Sequence, residues 1–490
     1  MTPASPALIA ALTRAHELLN AQGVPCHLVG GLLRDQQLGR VAATLNADLA
    51  VPRGAVELAR QLAQALHGAF VPLDETVGCA RVVVDAHGER VELDLSDYRG
   101  PTLEKDLQRR DFTVNALAVA LGDWLRAPKT PQPILDPCRG LEAIAQRRLL
   151  ACFPGTFEED PLRILRAFRF AAQLRFTVDA SMRPLMAAAL PRLVQVSGER
   201  VRDELLAMFA TDCAAPSVQA LNELGALDVL FPELIPGRGL EQGDFHHLDV
   251  LSHQLETVVQ GDRFLSDFAE FSAPLRGPLA AYCAVEPVEH RSRKALIKLA
   301  GLLHDIGKPA RRTVEADGEI WFIGHEHTGA DIVVPITQRL RLSNREADIV
   351  RLLVLHHLRP GFLSREPVLT RRAVYRFFKD LGDDGPACLL TWWADRMATR
   401  GPKSRLDQLD QQRGRLEELL NAYFFKAEEV VRPPRLVDGR QLMAHLGLPP
   451  GPVVGELLNA IEEAQAEGAI HSAEEALALA KTRLSAKPAS

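Results

Sequence analysis

The chain has only seven cysteines, at positions 26, 79, 138, 152, 213, 283 and 388. Their number is odd and no two are spaced Cys-x-x-Cys, so neither a zinc knuckle nor a disulfide framework is indicated. No apolar run approaches the length of a membrane span, so no membrane partner is expected. Internal repeats and low-complexity tracts are also missing. Positive charge is not in excess: Lys and Arg total 57 against 63 Asp and Glu, a net charge of −6, which argues against a protein coated in nucleic acid. The opening MTPASPALIAALTRAHELLNAQG reads as an amphipathic helix closed by Gly23 rather than a signal peptide, and a cytoplasmic compartment is expected. What is present is an apolar fraction of 47% and a charged fraction of 24%, as in soluble globular proteins. At 490 residues, three or four domains are expected. Charge is uneven: eight arginines face two acids between Pro161 and Arg202.

The front and the remainder of the chain differ in periodicity. Residues 24–120 alternate short β-like runs (VPCHLV, ADLAV, CARVVV, RVELDL) with one or two helices, as an α+β sheet domain does. The Pro-rich APKTPQPILDPCRG (127–140) reads as a loop. Helical period then dominates, with helices expected near 157–173, 181–190, 198–211 and 215–224. A histidine-rich helical segment runs from about Gly237 to Gly401, and a helical tail follows the RPP break at 432–434.

Within the front, a strand over Val24–Val29 leads into a Gly30-Gly31 turn and a helix start, a geometry that aims backbone N–H groups at a phosphate, with Arg34 and Arg40 adding charge. In NADLAV, period two puts Asn46 and Asp48 on one face and Ala47, Leu49 and Val51 on the other. Two carboxylates at such a spacing hold a pair of Mg²⁺ ions in two-metal enzymes, but the first position here is an asparagine. RVELDLSD places Glu92 and Asp94 on one strand face, where Asp94 would complete a metal site beside Asp48. In DLQRRDFTVNALAVA, Arg109 and Arg110 are candidates for phosphate and Asp111 for a ribose hydroxyl. In FEEDPLRILRAFRFAAQLRF, Leu162, Leu165, Phe168 and Ala172 form an apolar stripe. Asp160, Arg163, Arg166 and Arg169 form a row on the other side. Asp160 beside Arg163 presents acceptors and donors in a plane, as a Watson–Crick edge does.

The helical remainder carries a second constellation. His253, then His304-Asp305, then Asp395 are ligand types for a divalent transition metal, and a metal-bound hydroxide attacks phosphoesters. His325, His327, His356 and His357 are candidates for a second ion or for phosphate, and Lys308 for a phosphate contact.

Taken in order, GGLLRDQQLGR, NADLAV, DLQRRDFTVNALA, ILDPCRG and FEEDPLRILRAFRF resemble the class II tRNA nucleotidyltransferase and poly(A) polymerase family over nearly the whole chain. The H…HD…D order resembles the HD phosphohydrolase superfamily. The resemblance implies an α+β fold: a nucleotidyltransferase-type mixed-sheet head (1–125), an all-α neck that selects the nucleotide and contacts RNA (126–236), an HD metal-dependent phosphohydrolase domain (237–401), and a helical RNA-binding tail (402–490). It implies catalysis and Mg²⁺ binding at Asp48 and Asp94, with Asn46 at the first catalytic position. Nucleotide binding falls to Gly30, Gly31, Arg34, Arg110, Asp111, Asn115, Asp160, Arg163, Arg166 and Arg169. A divalent transition metal falls to His253, His304, Asp305 and Asp395. The implied partners are tRNA with ATP, CTP or both, and the activity is template-independent addition of C or A to the tRNA 3′ end. Asn46 replaces the first Asp of the family's Asp-x-Asp, and Ala143 replaces the final acid of its DPxxGxxD-like loop. Three readings follow: an active nucleotidyltransferase with an HD phosphohydrolase, a phosphohydrolase with a degenerate tRNA- or nucleotide-binding head, and a non-catalytic RNA-binding protein. Asn46 reads either as an engineered inactivating change or as the mark of a head that only binds.

Overall fold

The structure, a computed structural model, describes residues 5–40, 45–128, 133–289 and 291–485. The fold is α+β, and the chain forms two compact units, Met1–Val196 and Ser197–Ser490. The division falls inside the stretch read as one helical neck.

The first unit is built on a six-stranded sheet: β1 (His27–Val29), β2 (Leu45–Val51), β3 (Ala69–Asp74), β4 (Cys79–Ala86), β5 (Glu89–Asp97) and β6 (Ala118–Ala120). Their order is β3-β4-β5-β2-β1-β6. Only β2 and β5 pair in parallel; the other neighbours are antiparallel, so the sheet is mixed. The alternation in the sequence sorts the two faces. Ala47, Leu49, Val51, Ala80, Val82, Leu93 and Leu95 are buried in the core, where the helices Pro6–Ala21 and Ala55–Ala65 pack. Asn46, Asp48, Glu92 and Asp94 fall on the opposite pleat. The first helix starts at Ser5, whose hydroxyl accepts from Ala7 N at 3.2 Å, and it gives way to Gly23 at φ +69°. The strand read over Val24–Val29 is shorter, His27–Val29, because Val24–Cys26 make no ladder. The loop read at 127–140 lies partly outside the described residues.

The segment read as one helix from 157 is broken. Thr156–Glu159 and Arg163–Leu174 are separate helices, and Asp160 between them is extended at φ −145°, ψ 103°. Pro161 has no N–H to continue the first helix, and the residue before a proline is driven out of the helical region.

In the second unit, Val250–Leu265, Arg293–Leu303, His325–Arg339, Asn344–His356 and Gly385–Ala398 form a buried bundle. The tail has its own small core of Val437, Leu442, Val454, Leu457, Ile461 and Ile470. No helix among the described residues is long and apolar enough to cross a membrane.

Two candidate sites, a nucleotide cradle and a histidine-aspartate centre

In the first unit, the parallel register of β2 and β5 sets Asp48 opposite Asp94 and Asn46 opposite Glu92. Adjacent strands lie about 4.8 Å apart, so the two aspartates share one face within reach of one ion. The Gly30-Gly31 turn lies over this edge. Gly30 sits at φ +76°, ψ −131°, and a Cβ on it would lie 3.0 Å from Asp48 Oδ2, so only glycine suits the position. Its amide, read from the sequence as free for phosphate, donates instead to Leu117 O at 3.1 Å. The Gly31 amide bonds the Asp48 carboxylate. Burial lifts the Asp48 carboxyl above its ordinary value; Arg110 opposes that lift and Asp94 adds to it.

Arg81 of β4 is the residue the sequence reasoning missed. Its Nε and Nη2 hold the two oxygens of Asp94 at 2.7 and 2.9 Å, and its Nη1 lies 2.6 Å from Glu92. Arg90 holds the other Glu92 oxygen at 2.9 Å. The signal was the pairing of β4 with β5, which sets Arg81 opposite Asp94, but a long-range register is not printed in either strand. Carboxylate and amide oxygens on one face suit a hard cation such as Mg²⁺. In this structure Arg81 supplies the positive charge at Asp94.

A second group lies beside the turn. Asp111 Oδ2 accepts from Arg166 Nε and Nη2 at 3.1 and 2.8 Å, and its Oδ1 accepts from Asn115 Nδ2 at 3.2 Å and Phe112 N at 2.8 Å. Arg34 Nη1 donates to Asn115 Oδ1 at 2.6 Å, which closes a chain from the turn to the helix Arg163–Leu174. Burial alone would raise the Asp111 carboxyl, yet Arg166 and the hydrogen bonds outweigh it and bring it down to about 2. Arg34, Arg166 and Arg169 gather over the buried Phe170 ring at 5.2, 5.5 and 4.0 Å. Arg110 is held by Asp106 at 3.2 Å.

The expected Asp160–Arg163 edge is corrected by the structure. Arg163 is buried and donates to Glu159 Oε2 at 3.0 Å and Thr156 O at 3.3 Å, while Asp160 Oδ1 accepts from Leu162 N at 3.1 Å. The helix break before Pro161 takes Asp160 off the arginine row, and Glu159 becomes the partner. Arg109 also reaches Glu159, at 3.1 Å.

In the second unit the H…HD…D residues come together with two more histidines. His253, His304 and Asp395 form one group of possible ligands, and Asp305, His325 and His357 a second, each with its ligand atoms within 4.8 Å of one another. The adjacent His304 and Asp305 thus divide between two sets. His253 Nε2 lies 2.9 Å from Asp395 Oδ1, His304 Nε2 3.1 Å from Asp305 Oδ2, and His325 Nε2 3.2 Å from Asp305 Oδ1. One local rule orients three of the rings. The Nδ1 atoms of His304, His325 and His357 lie 2.8, 2.8 and 2.7 Å from the carbonyls of Gly301, Phe322 and Val354, each three residues earlier. Protons on those Nδ1 atoms leave the Nε2 lone pairs facing inward, the tautomer that ligates metal.

The Nε2 atoms of His325 and His357 then face each other at 3.2 Å, and His304 Nε2 and Asp305 Oδ2 are buried without a hydrogen-bond partner. Convergent acceptors with nothing between them fit divalent cations. Burial works against a charged His304, but Asp305 and Asp395 raise it to about 10, so a proton takes the place of a cation. Burial lowers His357 to about 3, and the neighbouring His304 and His325 reinforce that. Lys308 Nζ reaches Asp305 Oδ2 at 2.6 Å and Gln242 Oε1 at 2.7 Å. His327 is exposed, and neither it nor His356 belongs to either ligand group. His246, missed in the sequence, stacks edge-on at 4.7 Å from His253.

These two sites define the class of protein: a nucleotidyltransferase-type head on one unit and an HD-type metal centre on the other. Comparison with known proteins agrees. Residues 26–150 match the poly A polymerase head domain, 275–383 the HD domain and 402–480 the tRNA nucleotidyltransferase domain 2, while 175–237 match a family described as "Probable RNA and SrmB-binding site of polymerase A". The A-adding tRNA nucleotidyltransferase of Deinococcus radiodurans is 37% identical over 92% of this chain and 94% of its own. The CC-adding enzyme of Thermus thermophilus is 34% identical over 92% of each chain. The chain belongs to the tRNA nucleotidyltransferase family and is an enzyme of it. Its fold is similar to that of a Thermotoga maritima CCA-adding enzyme complexed with tRNA, at 18% identity and a TM-score of 0.59 over 98% of this chain and 96% of that one. A CCA-adding enzyme complexed with ATP matches at 19% identity and a TM-score of 0.62, over 99% of this chain and 96% of that one.

Proposed function

We propose that this enzyme adds C or A, without a template, to the 3′ end of tRNA at the first site, and hydrolyses phosphoesters at the second. The observation that carries the first half is the register that sets Asp48 beside Asp94 under the Gly30-Gly31 turn. The tRNA 3′ hydroxyl attacks the α-phosphorus of CTP or ATP. A new O–P bond forms, the bridge to the β-phosphate breaks, pyrophosphate leaves, and the hydroxyl proton passes to the carboxylate face. Mg²⁺ held by Asp48 and Asp94 would supply charge neutralisation and lower the pKa of the hydroxyl. Arg110 and Arg34 bind phosphate, Asp111 and Asn115 orient the ribose, and Arg166 and Arg169 contact the base. RNA contacts fall to the helical neck and tail.

At the second site, the ligand groups His253, His304, Asp395 and Asp305, His325, His357 would hold divalent transition metal ions, which supply an activated water and polarise the ester. Water adds to phosphorus, the ester P–O bond breaks, and the leaving oxygen takes a proton. Lys308, next to Asp305, binds the phosphate.

One observation favours a second reading. Asn46 removes a carboxylate, and Arg81 occupies Asp94 and Glu92. A head of this kind binds nucleotide or tRNA without turnover, leaving the phosphohydrolase as the activity. The test is incorporation of labelled CTP or ATP into tRNA lacking its 3′ end, in this chain and in Asn46→Asp. Robust incorporation by the unaltered chain sinks the second reading. Incorporation by Asn46→Asp alone sinks the first.

A further inference from the structure

The cavity over the histidine-aspartate centre encloses about 750 Å³, inside the roughly 300–1,000 Å³ of a site for one small ligand. Its floor holds Asp305, His325, His357, Asp395 and Lys308. Its mouth is lined by Phe245, Trp321, Phe362 and Ile323, which are 53%, 45%, 60% and 80% exposed. Of the four aromatic side chains exposed among the described residues, three stand at this mouth; the fourth is Phe425. Single exposed apolar side chains are ordinary, but a rim of them around a polar floor marks a binding surface.

The rim is built from three separate segments that are tied in place. Gly401 N donates to Phe245 O at 2.9 Å and Lys403 N to Asp244 O at 3.1 Å, which pins the loop carrying Phe245. Trp321 lies on a hairpin in register with Thr313, and Lys403 Nζ ties that hairpin, through Glu319 at 3.3 Å, to Asp244 at 3.2 Å. Phe362 lies on the helix Arg359–Arg365, where a Cβ on Gly361 would come within 3.0 Å of the Trp392 indole nitrogen, so the helix seats closely.

Charge then selects the ligand. At the mouth Lys403 is already paired with Asp244 and Glu319, and Asp317 and Glu326 also line the cavity. Such a rim repels a phosphate backbone and accepts a flat uncharged ring. The floor, with Lys308 and the convergent histidines, accepts a phosphate. A ligand with an aromatic end and a phosphate end fits both levels.

We propose that Trp321, Phe362 and Phe245 form a stacking platform for an unstacked nucleobase, which delivers the attached phosphoester to the floor. The substrate class is a nucleotide phosphoester, either free or at a single-stranded RNA 3′ end. The hydrolytic readout rests on the phosphohydrolase reading above; the binding readout does not. Loss of an aromatic platform weakens binding about five- to 150-fold per base.

The experiment uses the full chain with added Mn²⁺ and compares adenosine 2′-monophosphate, a short oligoribonucleotide ending in a 2′,3′-cyclic phosphate, and base-free glycerol 2-phosphate. In Trp321→Ala and Phe362→Ala, KM for the nucleotide probes is expected to rise tenfold or more. Glycerol 2-phosphate turnover and CTP affinity at the head stay as in the unaltered chain. Rim dependence with either nucleotide probe supports the proposal, and the larger kcat/KM says whether the source is a free nucleotide or an RNA end. Equal changes for all three probes, or no change for any, overturn it. If the unaltered chain hydrolyses none of them, the phosphohydrolase reading fails. Calorimetric binding of adenosine 2′-monophosphate to the rim variants then decides the platform alone: weakened binding sustains it and unchanged binding overturns it.

Discussion

Replacing Asp111 by Asn tests whether the buried chain Arg34–Asn115–Asp111–Arg166 holds the first unit together through charge. The carboxyl is brought from its ordinary value of 3.8 to about 2. A depressed carboxyl stabilises the fold above its unfolded pKa and loses that contribution as pH falls through the folded one. The difference of about 1.8 units is worth about 2.4 kcal/mol at pH 7 and about half of that at pH 3. Asp111→Asn keeps the shape and an acceptor oxygen but removes the charge facing Arg166. Its unfolding free energy by urea titration should therefore fall below that of the unaltered chain by about 2.4 kcal/mol at pH 7, with the gap closing between pH 4 and pH 2. A gap that stays constant from pH 7 to pH 3 would show that the loss comes from packing, and no gap at pH 7 would show that Arg166 contributes nothing through charge. Either result refutes the reasoning.

Gly30→Ala puts a Cβ at φ +76°, 3.0 Å from Asp48 Oδ2, a strain of about 1–3 kcal/mol. Nucleotide incorporation should drop while phosphoester hydrolysis, measured in the same sample, does not. Lys298 is buried, with Nζ 2.5 Å from both Asp262 Oδ1 and Thr211 O. Lys298→Met leaves a buried carboxylate unpaired, and denaturant melts should show a loss of about 3–5 kcal/mol. A divalent cation at one hundred times its Kd should stabilise the second unit by about 2.7 kcal/mol. Chelation should remove that rise in melting temperature, and His357→Ala should abolish its dependence on metal.

Legibility followed the range of the interactions. The faces of β2 and β5 are local alternations, so Asp48 and Asp94 could be assigned to one side before any coordinates. The histidine-aspartate centre was legible for a different reason. His304, His325 and His357 each bond a carbonyl three residues back, so each ring is aimed by its own helix end and needs only the bundle to converge. The Asp160–Arg163 edge failed because helical spacing was extended through a proline that ends the helix. Arg81 and the aromatic rim went unread because each depends on chain segments that meet only in the fold: β4 with β5, and the loop at Phe245 with the hairpin at Trp321 and the helix at Phe362.

Asn46 takes on a different weight once Arg81 is known. Asp48, Glu92 and Asp94 bring three negative charges to the face, and Arg81 returns one positive charge to two of them. An aspartate at 46 would stand opposite Glu92 in the strand register and would confront a carboxylate already held by Arg81 and Arg90. Like charges directly opposite one another on a sheet repel. The asparagine is therefore consistent with its neighbours as a structural element, since a neutral amide beside Glu92 lets the two arginines satisfy that carboxylate. The same amide lowers the charge available to a cation at Asp48. Stability of the sheet and affinity for metal pull in opposite directions at position 46, which makes Arg81, rather than Asn46 alone, the residue that decides how the head meets a divalent ion.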